Sequence, residues 1–464
     1  MTSTKMTNVA ERAWLPPQVA EYIEQIESHD NALSLNELDA RLHALVSAHT
    51  QHMDRECVVL YAGTNIINPR VEALLASGLS SRPNLGYPGD KYNKGMQHAE
   101  QIEIMLGALL KRLFNARYVE YRVPSGSIAN LYAFMATTKP GDTILAFSDD
   151  MAGHVTHHAQ GAAGLYGLRI VDVPCDTRRM DVDVDALRTQ AHAIKPKLIV
   201  VAGSMCLFPY SVSAVREIAD EVGAYVLYDA AHMGGLIAGG AFQQPLAEGA
   251  HLMTGSTYKS YGGPASGIVL TNDPELAERI ERIAYPGLTA NFDLGKTAAM
   301  CMATMDLLEH GGAYARMMIA NAQALAEAMA ARGLPVFAAD GRPHRHTVSQ
   351  HVAVEAATLH GGNRASSLLE KANLLMSGIG LPMPPVDGDY NGIRIGTQEV
   401  TRWGMRPTDM HAIAEFMARV LVQGVPVAHV REDVITFRRK FQKRCFIREY
   451  NGQVPSLDLA DLNM

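Results

Sequence analysis

The stretch "AYVLYDAAHMGGL", residues 224–236, carries the first decision about architecture. A short apolar run ends in an acid, Asp229, and small turn-forming residues follow at once. A run of this length, closed by breakers, reads as a strand buried on both faces. Similar runs lie on either side: "TILAF" (143–147), "LRIVDV" (168–173), "KLIVVAG" (197–203) and "GIVLTN" (267–272). Helical segments such as "SAVREIADEVG" (213–223) separate several of them. Buried strands alternating with helices predict an α/β fold, a mostly parallel sheet with helices on both sides. In such sheets functional groups gather beyond the carboxyl ends of the strands, where Asp229 stands.

The rest of the chain arranges itself around that sheet. A length of 464 residues suits one large and one smaller domain. Residues 1–56 read as a helical arm: "PPQVAEYIEQIES" and "SLNELDARLHALVSAH" have apolar residues at helical spacing. In the second, Ser34 and Glu37 have the spacing of a capping box. Such helices need a surface to pack on, the body or a second subunit. Residues 57–295 form the predicted large domain and 296–464 a smaller α+β domain. The methionines of the helical stretch 295–333 suit a core or interface. Near the end, "FRRKFQKR" (437–444) reads as a basic helix face, solvated or facing a subunit.

Composition excludes several classes. A net charge of −7 offers no basic field for nucleic acid. Five cysteines stand singly with no CxxC pair, which suits a reducing compartment and argues against disulfides and zinc ribbons. No run has the length to cross a bilayer and the N-terminus lacks a signal-peptide core, so a cytoplasmic protein without a membrane partner is expected.

Four elements carry chemistry. Asp229 at a strand's carboxyl end needs a cation or donors to offset its desolvation. Thirty residues on, "TGSTYKSYGGPASG" (254–267) sets one long cation, Lys259, among small and aromatic neighbours. Upstream, Ser125, Gly126 and Ser127 of "VPSGSIANLYAFMA" (123–136) open a helix, an arrangement that serves as an N-cap or as an anion cradle. Near the C-terminus Arg394 lies in "NGIRIGTQEVTRWGM" (391–405), flanked by isoleucines and in need of an acidic partner from the protein or a ligand. Pyridoxal phosphate accounts for all four at once: it needs an anion cradle, a carboxylate for its pyridine nitrogen and a lysine for its aldehyde carbon. Its substrates bring the carboxylate that an arginine would bind. On this reading small residues surround Lys259 because a flat ring must approach the backbone.

These motifs resemble the serine hydroxymethyltransferase family. The resemblance runs through "GYPGDKY" (86–92), "PSGSIAN" (124–130), "GDTILAFSDDMAGHVTH" (141–157), "YDAAHMGGLIAGG" (228–240), "GAHLMTGSTYKSYGGPASGIVL" (249–270), "YPGL" (285–288) and "GIRIGTQEVTRWGM" (392–405). It implies a fold type I pyridoxal-phosphate enzyme, a homodimer or homotetramer with active sites at the dimer interface. It further implies Lys259 as the Schiff-base lysine, Asp229 as partner of the ring nitrogen, and His232 and Ser204 beside the cofactor's phenolic oxygen. Ser125, Gly126, Ser127 and Ser256 would hold the phosphate and Arg394 the substrate carboxylate. His154 would lie near the substrate side chain, as the candidate base for a β-hydroxyl.

The chain departs from the family where folate is handled. Pro83 and Leu85 stand in place of a tyrosine and the glutamate of folate-dependent transfer. Met151 replaces the histidine stacked on the cofactor ring, Tyr258 the histidine before the lysine, and Ala265 an arginine. Asn93 replaces a tyrosine, and "TANFDLG" (289–295) a glycine pair. The resulting expectation is folate-independent aldol, retro-aldol or transaldol chemistry on a β-hydroxy-α-amino acid, with an amino acid and an aldehyde as partners, as in threonine transaldolases and α-methylserine aldolases. An ordinary serine hydroxymethyltransferase is the alternative. Decarboxylation, β-elimination, transamination or oxidation would use the same scaffold, because residue types do not fix which bond is held perpendicular to the ring. A metallohydrolase built on His154 and His157 is disfavoured, since no HExxH or carboxylate-rich partner accompanies them, and no metal is expected.

Overall fold

The computed structural model describes residues 12–82, 84–342 and 344–449, in two units, 1–57 and 58–464. In the first, helices span Pro17–Asn31 and Leu35–Thr50. The Ser34–Glu37 capping box forms as the spacing predicts, each side chain bonding the other's backbone N–H. Neither helix has a buried residue.

The second unit is organised by a seven-stranded sheet. In chain order its strands are β1 (Tyr118–Val123), β2 (Thr143–Ala146), β3 (Arg169–Asp172), β4 (Leu198–Val201), β5 (Tyr225–Asp229), β6 (Leu252–Ser256) and β7 (Gly267–Thr271). Across the sheet they run β1-β7-β6-β5-β4-β2-β3. The pairs from β6 through β3 are parallel, while β7 is antiparallel to both of its neighbours. All five apolar runs read from the sequence are strands of this sheet. Every residue of β4, β6 and β7 is buried, as expected of strands covered on both faces. "SAVREIADEVG" falls on the helix Val212–Val222, which ends at Gly223 with φ +70°, the left-handed position glycine favours.

A second core lies apart from the sheet. It gathers Val58 and Leu60, one end of the helix Leu294–Ala330, and the small antiparallel sheet of β8 (His351–Glu355), β9 (Ser377–Ile379) and β10 (Gly392–Gly396). The helix Leu294–Ala330 serves both cores: Met300 and Met318 pack in the first and Met329 in the second. This bears out the core reading of those methionines. One expectation needs correction. The C-terminal helix Val427–Arg438 ends before most of "FRRKFQKR", and Arg438 is fully buried, its guanidinium 4.2 Å from the Trp403 ring. Phe437 and Phe441 pack 5.1 Å apart, while Arg439, Lys440 and Lys443 are exposed as the solvated reading expects.

Candidate active site

β5 delivers Asp229 to the carboxyl edge of the sheet, where its carboxylate is 2% exposed. Three donors meet it: Asn130 Nδ2 at 2.9 Å and His157 Nε2 at 3.0 Å on Oδ2, and the Ala231 N–H at 2.9 Å on Oδ1. Burial alone would raise its pKa, but the bonds from His157 and Asn130 and the nearby histidines hold it well below the ordinary carboxylate range. Asn130 comes from the helix Gly126–Thr137 and His157 from the turn Val155–His157. Asn130 carried no role in the sequence reading and His157 only the disfavoured metal one, although they lie in the motifs "PSGSIAN" and "GHVTHH". Their part depends on Asp229, which lies 99 residues from Asn130 in sequence and meets both only in the fold.

Lys259 follows β6 in a tight turn. Its Nζ lies 3.0 Å from His232 Nε2, and burial, with Arg394 adding and Asp229 opposing, brings its pKa down to about 8. His232 is pushed well below its ordinary value by burial and by the Lys259 charge, so its neutral ring accepts the lysine's hydrogen. The small residues around Lys259 have protein neighbours. A Cβ at Gly235 would fall 2.2 Å from the Ser260 carbonyl oxygen, and one at Gly262, φ +72°, would fall 2.7 Å from the Arg402 guanidinium. Close approach is needed, but helix and arginine already account for it.

Arg394, on β10, lines the same cavity as Lys259. It is 8% exposed, and no carboxylate among the described residues pairs with it. One terminal nitrogen donates to the Ser204 carbonyl at 2.7 Å and the other to Ser377 Oγ at 3.3 Å, while Nε has no partner. Burial lowers its pKa, opposed by the phenols of Tyr61 and Tyr390. The Tyr61 ring lies 5.8 Å from the guanidinium carbon. Between Lys259 and Arg394 opens a cavity of about 420 Å³, lined also by Tyr61, His154, Ser204, His232, Tyr258 and Tyr390. That is room for a small ligand. His351, in contact with His232 at 5.3 Å between rings, backs this wall, its pKa pushed down to about 3 by burial and the cations of Arg394 and Lys259.

The remaining expected residues sort themselves. Ser125 is the N-cap of Gly126–Thr137, its Oγ accepting from the Ile128 N–H at 3.3 Å. The first-turn N–H groups of Gly126 and Ser127 have no acceptor within a helix. A Cβ at Gly126 would sit 3.0 Å from that of Ser256, so the helix start abuts the end of β6, three residues from Lys259. Ser204 Oγ donates to the Gly153 carbonyl at 3.3 Å, and Ser256 Oγ to Ala231 at 3.0 Å. His154 lines the cavity. Met151 ends the turn Asp149–Met151, three residues before His154, and is buried with the main core. His154 and His157 share a turn, not a helix face, and His157 is engaged by Asp229.

Among the positions that depart from the family, Leu85 lies in the hairpin Asn84–Tyr87/Asp90–Lys91, and its N–H donates to Asn93 Oδ1 at 3.1 Å. Pro83 lies outside the described residues. In "TANFDLG", Asn291 pairs with Leu85 and Asp293 caps the helix Leu294–Ala330.

The serine hydroxymethyltransferase family pattern matches residues 35–417. An α-methylserine aldolase of a Ralstonia species is 47% identical over 94% of this chain and 99% of its own length. The serine hydroxymethyltransferase of Archaeoglobus fulgidus is 39% identical over 86% of this chain and 90% of its own. In three dimensions, the L-threonine transaldolase of Pseudomonas fluorescens superposes with a TM-score of 0.80 over 88% of this chain and 93% of its own, at 22% identity, which speaks to fold. The chain therefore belongs to the serine hydroxymethyltransferase family and has its α/β fold.

Proposed function

We propose that this protein is a pyridoxal-phosphate enzyme that makes and breaks the Cα–Cβ bond of a β-hydroxy-α-amino acid without folate. The observation that carries the reading is the cavity itself: its lining includes a buried amine of lowered basicity and a buried guanidinium that no carboxylate among the described residues pairs with. Bound there, pyridoxal phosphate would supply an aldehyde carbon for amines and a ring that takes up an electron pair. The residues fit it. Asp229 uses three of roughly four acceptor positions on its own donors, leaving one for a protonated ring nitrogen. Gly126 and Ser127 offer backbone N–H groups to a phosphate, with Ser125 and Ser256 beside them. Lys259 would hold the aldehyde carbon, with His232 and Ser204 at the same edge.

This chain's residues would then work in sequence. Arg394 binds the substrate α-carboxylate in a bidentate pair and offsets its own buried charge. Asp229 keeps the ring nitrogen protonated. As the Cα–Cβ bond breaks, the β-hydroxyl loses its proton and an aldehyde leaves, while Cα keeps the bonding pair and takes up a proton in place of the lost bond. Lys259, His232 and His154 are the nitrogen groups that line the cavity to carry or steady that proton.

The α-methylserine aldolase relative supports α-methylserine as the first substrate to test, cleaved to alanine and formaldehyde. Glycine would be the product from a β-hydroxy acid without the methyl. The reading extends to a cytoplasmic homodimer or homotetramer, with the large domain at 57–295 and the small at 296–464. Support comes from the family and from the second core. No helix among the described residues is long and apolar enough to cross a membrane. The test supplies protein and pyridoxal phosphate with α-methylserine, threonine and serine, without tetrahydrofolate, and measures aldehyde and amino acid. Aldehyde release is expected. Products of decarboxylation, elimination, transamination or oxidation, with no cleavage, would reject the reading.

A further inference from the structure

We infer that Asp229 sets the direction of a hydrogen-bond chain through Asn130 and Thr156 that leaves His154 facing the cavity with a hydrogen on Nε2, making it a donor to the substrate's β-oxygen and not its base. The substrate side of this inference rests on the function proposed above. The direction of the chain rests on geometry alone.

An ionised carboxylate only accepts, so the Asn130 atom 2.9 Å from Asp229 Oδ2 must be its amide nitrogen. That fixes the amide's orientation: Oδ1 accepts from Thr254 Oγ1 at 2.7 Å, and the second N–H of Nδ2 reaches Thr156 Oγ1 at 2.8 Å. Asn130 Nδ2 and His157 Nε2, 3.2 Å apart, both donate to Asp229 and so do not bond each other. Having accepted from Asn130, the Thr156 hydroxyl is free to donate, and 2.7 Å away lies His154 Nδ1. The Thr156 backbone N–H also points at that nitrogen, from 3.3 Å. A backbone N–H cannot accept. Nδ1 therefore carries a lone pair, and the neutral ring holds its one hydrogen on Nε2.

Burial, with the charges of Lys259, His157 and Arg394, brings the His154 pKa to about 4 despite Asp229, so a second proton is not held near neutrality. A ring with one hydrogen, and that one turned to the cavity, has no lone pair there to take a proton. It can steady an oxygen that gains negative charge as the Cα–Cβ bond breaks, and polarise an aldehyde oxygen when the bond forms. Asn130 and Thr156 are positioning residues; the β-hydroxyl proton must leave by another group.

The tautomer can be read directly. Holoenzyme with ring-labelled ¹⁵N histidine, its His154 signals assigned by their loss in His154→Gln, should have a protonated Nε2 and a bare Nδ1. A protonated Nδ1 overturns the chain, whatever reaction the enzyme catalyses. Thr156→Val should raise the Nδ1–H population and weaken binding of the β-hydroxy amino acid about five- to tenfold, the worth of one hydrogen bond. Alanine, which has no β-oxygen, should bind as before, and Thr156→Ser should restore both readouts. Equal losses for the two ligands would overturn the donor role. Absence of any β-hydroxy amino acid cleavage would instead overturn the reaction proposed above, and the spectrum would still decide the chain.

Discussion

Asp229 and Arg394 are opposite charges in the same cavity region, and the protein treats them differently. The carboxylate has three donors of its own, from a helix, a turn and the backbone two residues on. The guanidinium has a carbonyl and a hydroxyl, an idle Nε, and no carboxylate among the described residues. One charge is completed by the fold, and the other has no charged partner among the described residues. A buried charge is costly unless paired, so the difference is the basis for proposing a substrate carboxylate at Arg394.

The largest expected effect breaks the completed end. Asp229→Ala leaves the His157 and Asn130 donors facing an apolar gap in the core. Loss of one partner of a buried charge network costs about 3–5 kcal/mol. Denaturant unfolding of the cofactor-free protein should register a loss of that size. An unchanged midpoint would mean that the network contributes little to the fold.

Arg394→Lys tests the open end. The lysine lacks the planar fork, so amino-acid affinity should fall by about 2–4 kcal/mol while cofactor binding persists. Stability of the cofactor-free protein should fall far less than for Asp229→Ala, because no carboxylate is stranded. Titration of the substrate amino acid against each variant, beside its unfolding curve, gives both numbers. A variant that loses stability and keeps affinity would reverse the comparison.

Lys259 answers to both charges. Its pKa of about 8 has Asp229 raising it and Arg394 lowering it, under a larger effect of burial. The neutral amine is the nucleophile. Capture of pyridoxal phosphate by cofactor-free protein should therefore quicken about tenfold from pH 6 to pH 7 and level off above about 8. Borohydride should then fix the cofactor on Lys259, identified by peptide mapping. A profile still climbing at pH 10 would mean an ordinary lysine.

Much of this was legible in the sequence, for reasons that differ from residue to residue. Asp229 and Lys259 were readable because each is marked locally, an acid closing an apolar run and a cation among turn residues. The sheet was readable because β-strands buried on both faces leave continuous apolar runs. Asn130 and His157 were not, since an asparagine inside a helix and a histidine in a turn acquire their meaning only when β5 places Asp229 between them. Met151 was placed on the cofactor's face by its position in a motif, and the fold adds that its side chain is buried. At Arg438 packing on Trp403 buries one cation of a run whose Arg439, Lys440 and Lys443 stay exposed.

The smallest expected effect is none at all, and it concerns the hairpin that carries neither charge. Leu85 stands where the family resemblance implies the glutamate of folate-dependent transfer. Its neighbours do not replace the acid: Asn93 spends its side-chain oxygen on the Leu85 N–H, and the nearby Glu103 is buried in a pair with Lys91 at 2.8 Å. Asn84 bonds that same carboxylate. Glu103 therefore holds the hairpin together and is not free to move a proton. A positioned acid or base typically contributes 10²–10⁴-fold, so a folate-dependent route without one cannot compete with direct release of the aldehyde. Adding tetrahydrofolate to the holoenzyme should leave the rate of α-methylserine or serine cleavage unchanged, and Leu85→Glu alone should not create dependence, because the phenol at position 93 would still be missing. Rates measured with and without tetrahydrofolate, for the parent protein and that variant, check both statements. A parent rate that rises with folate would restore the ordinary hydroxymethyltransferase and require an acid from outside this hairpin.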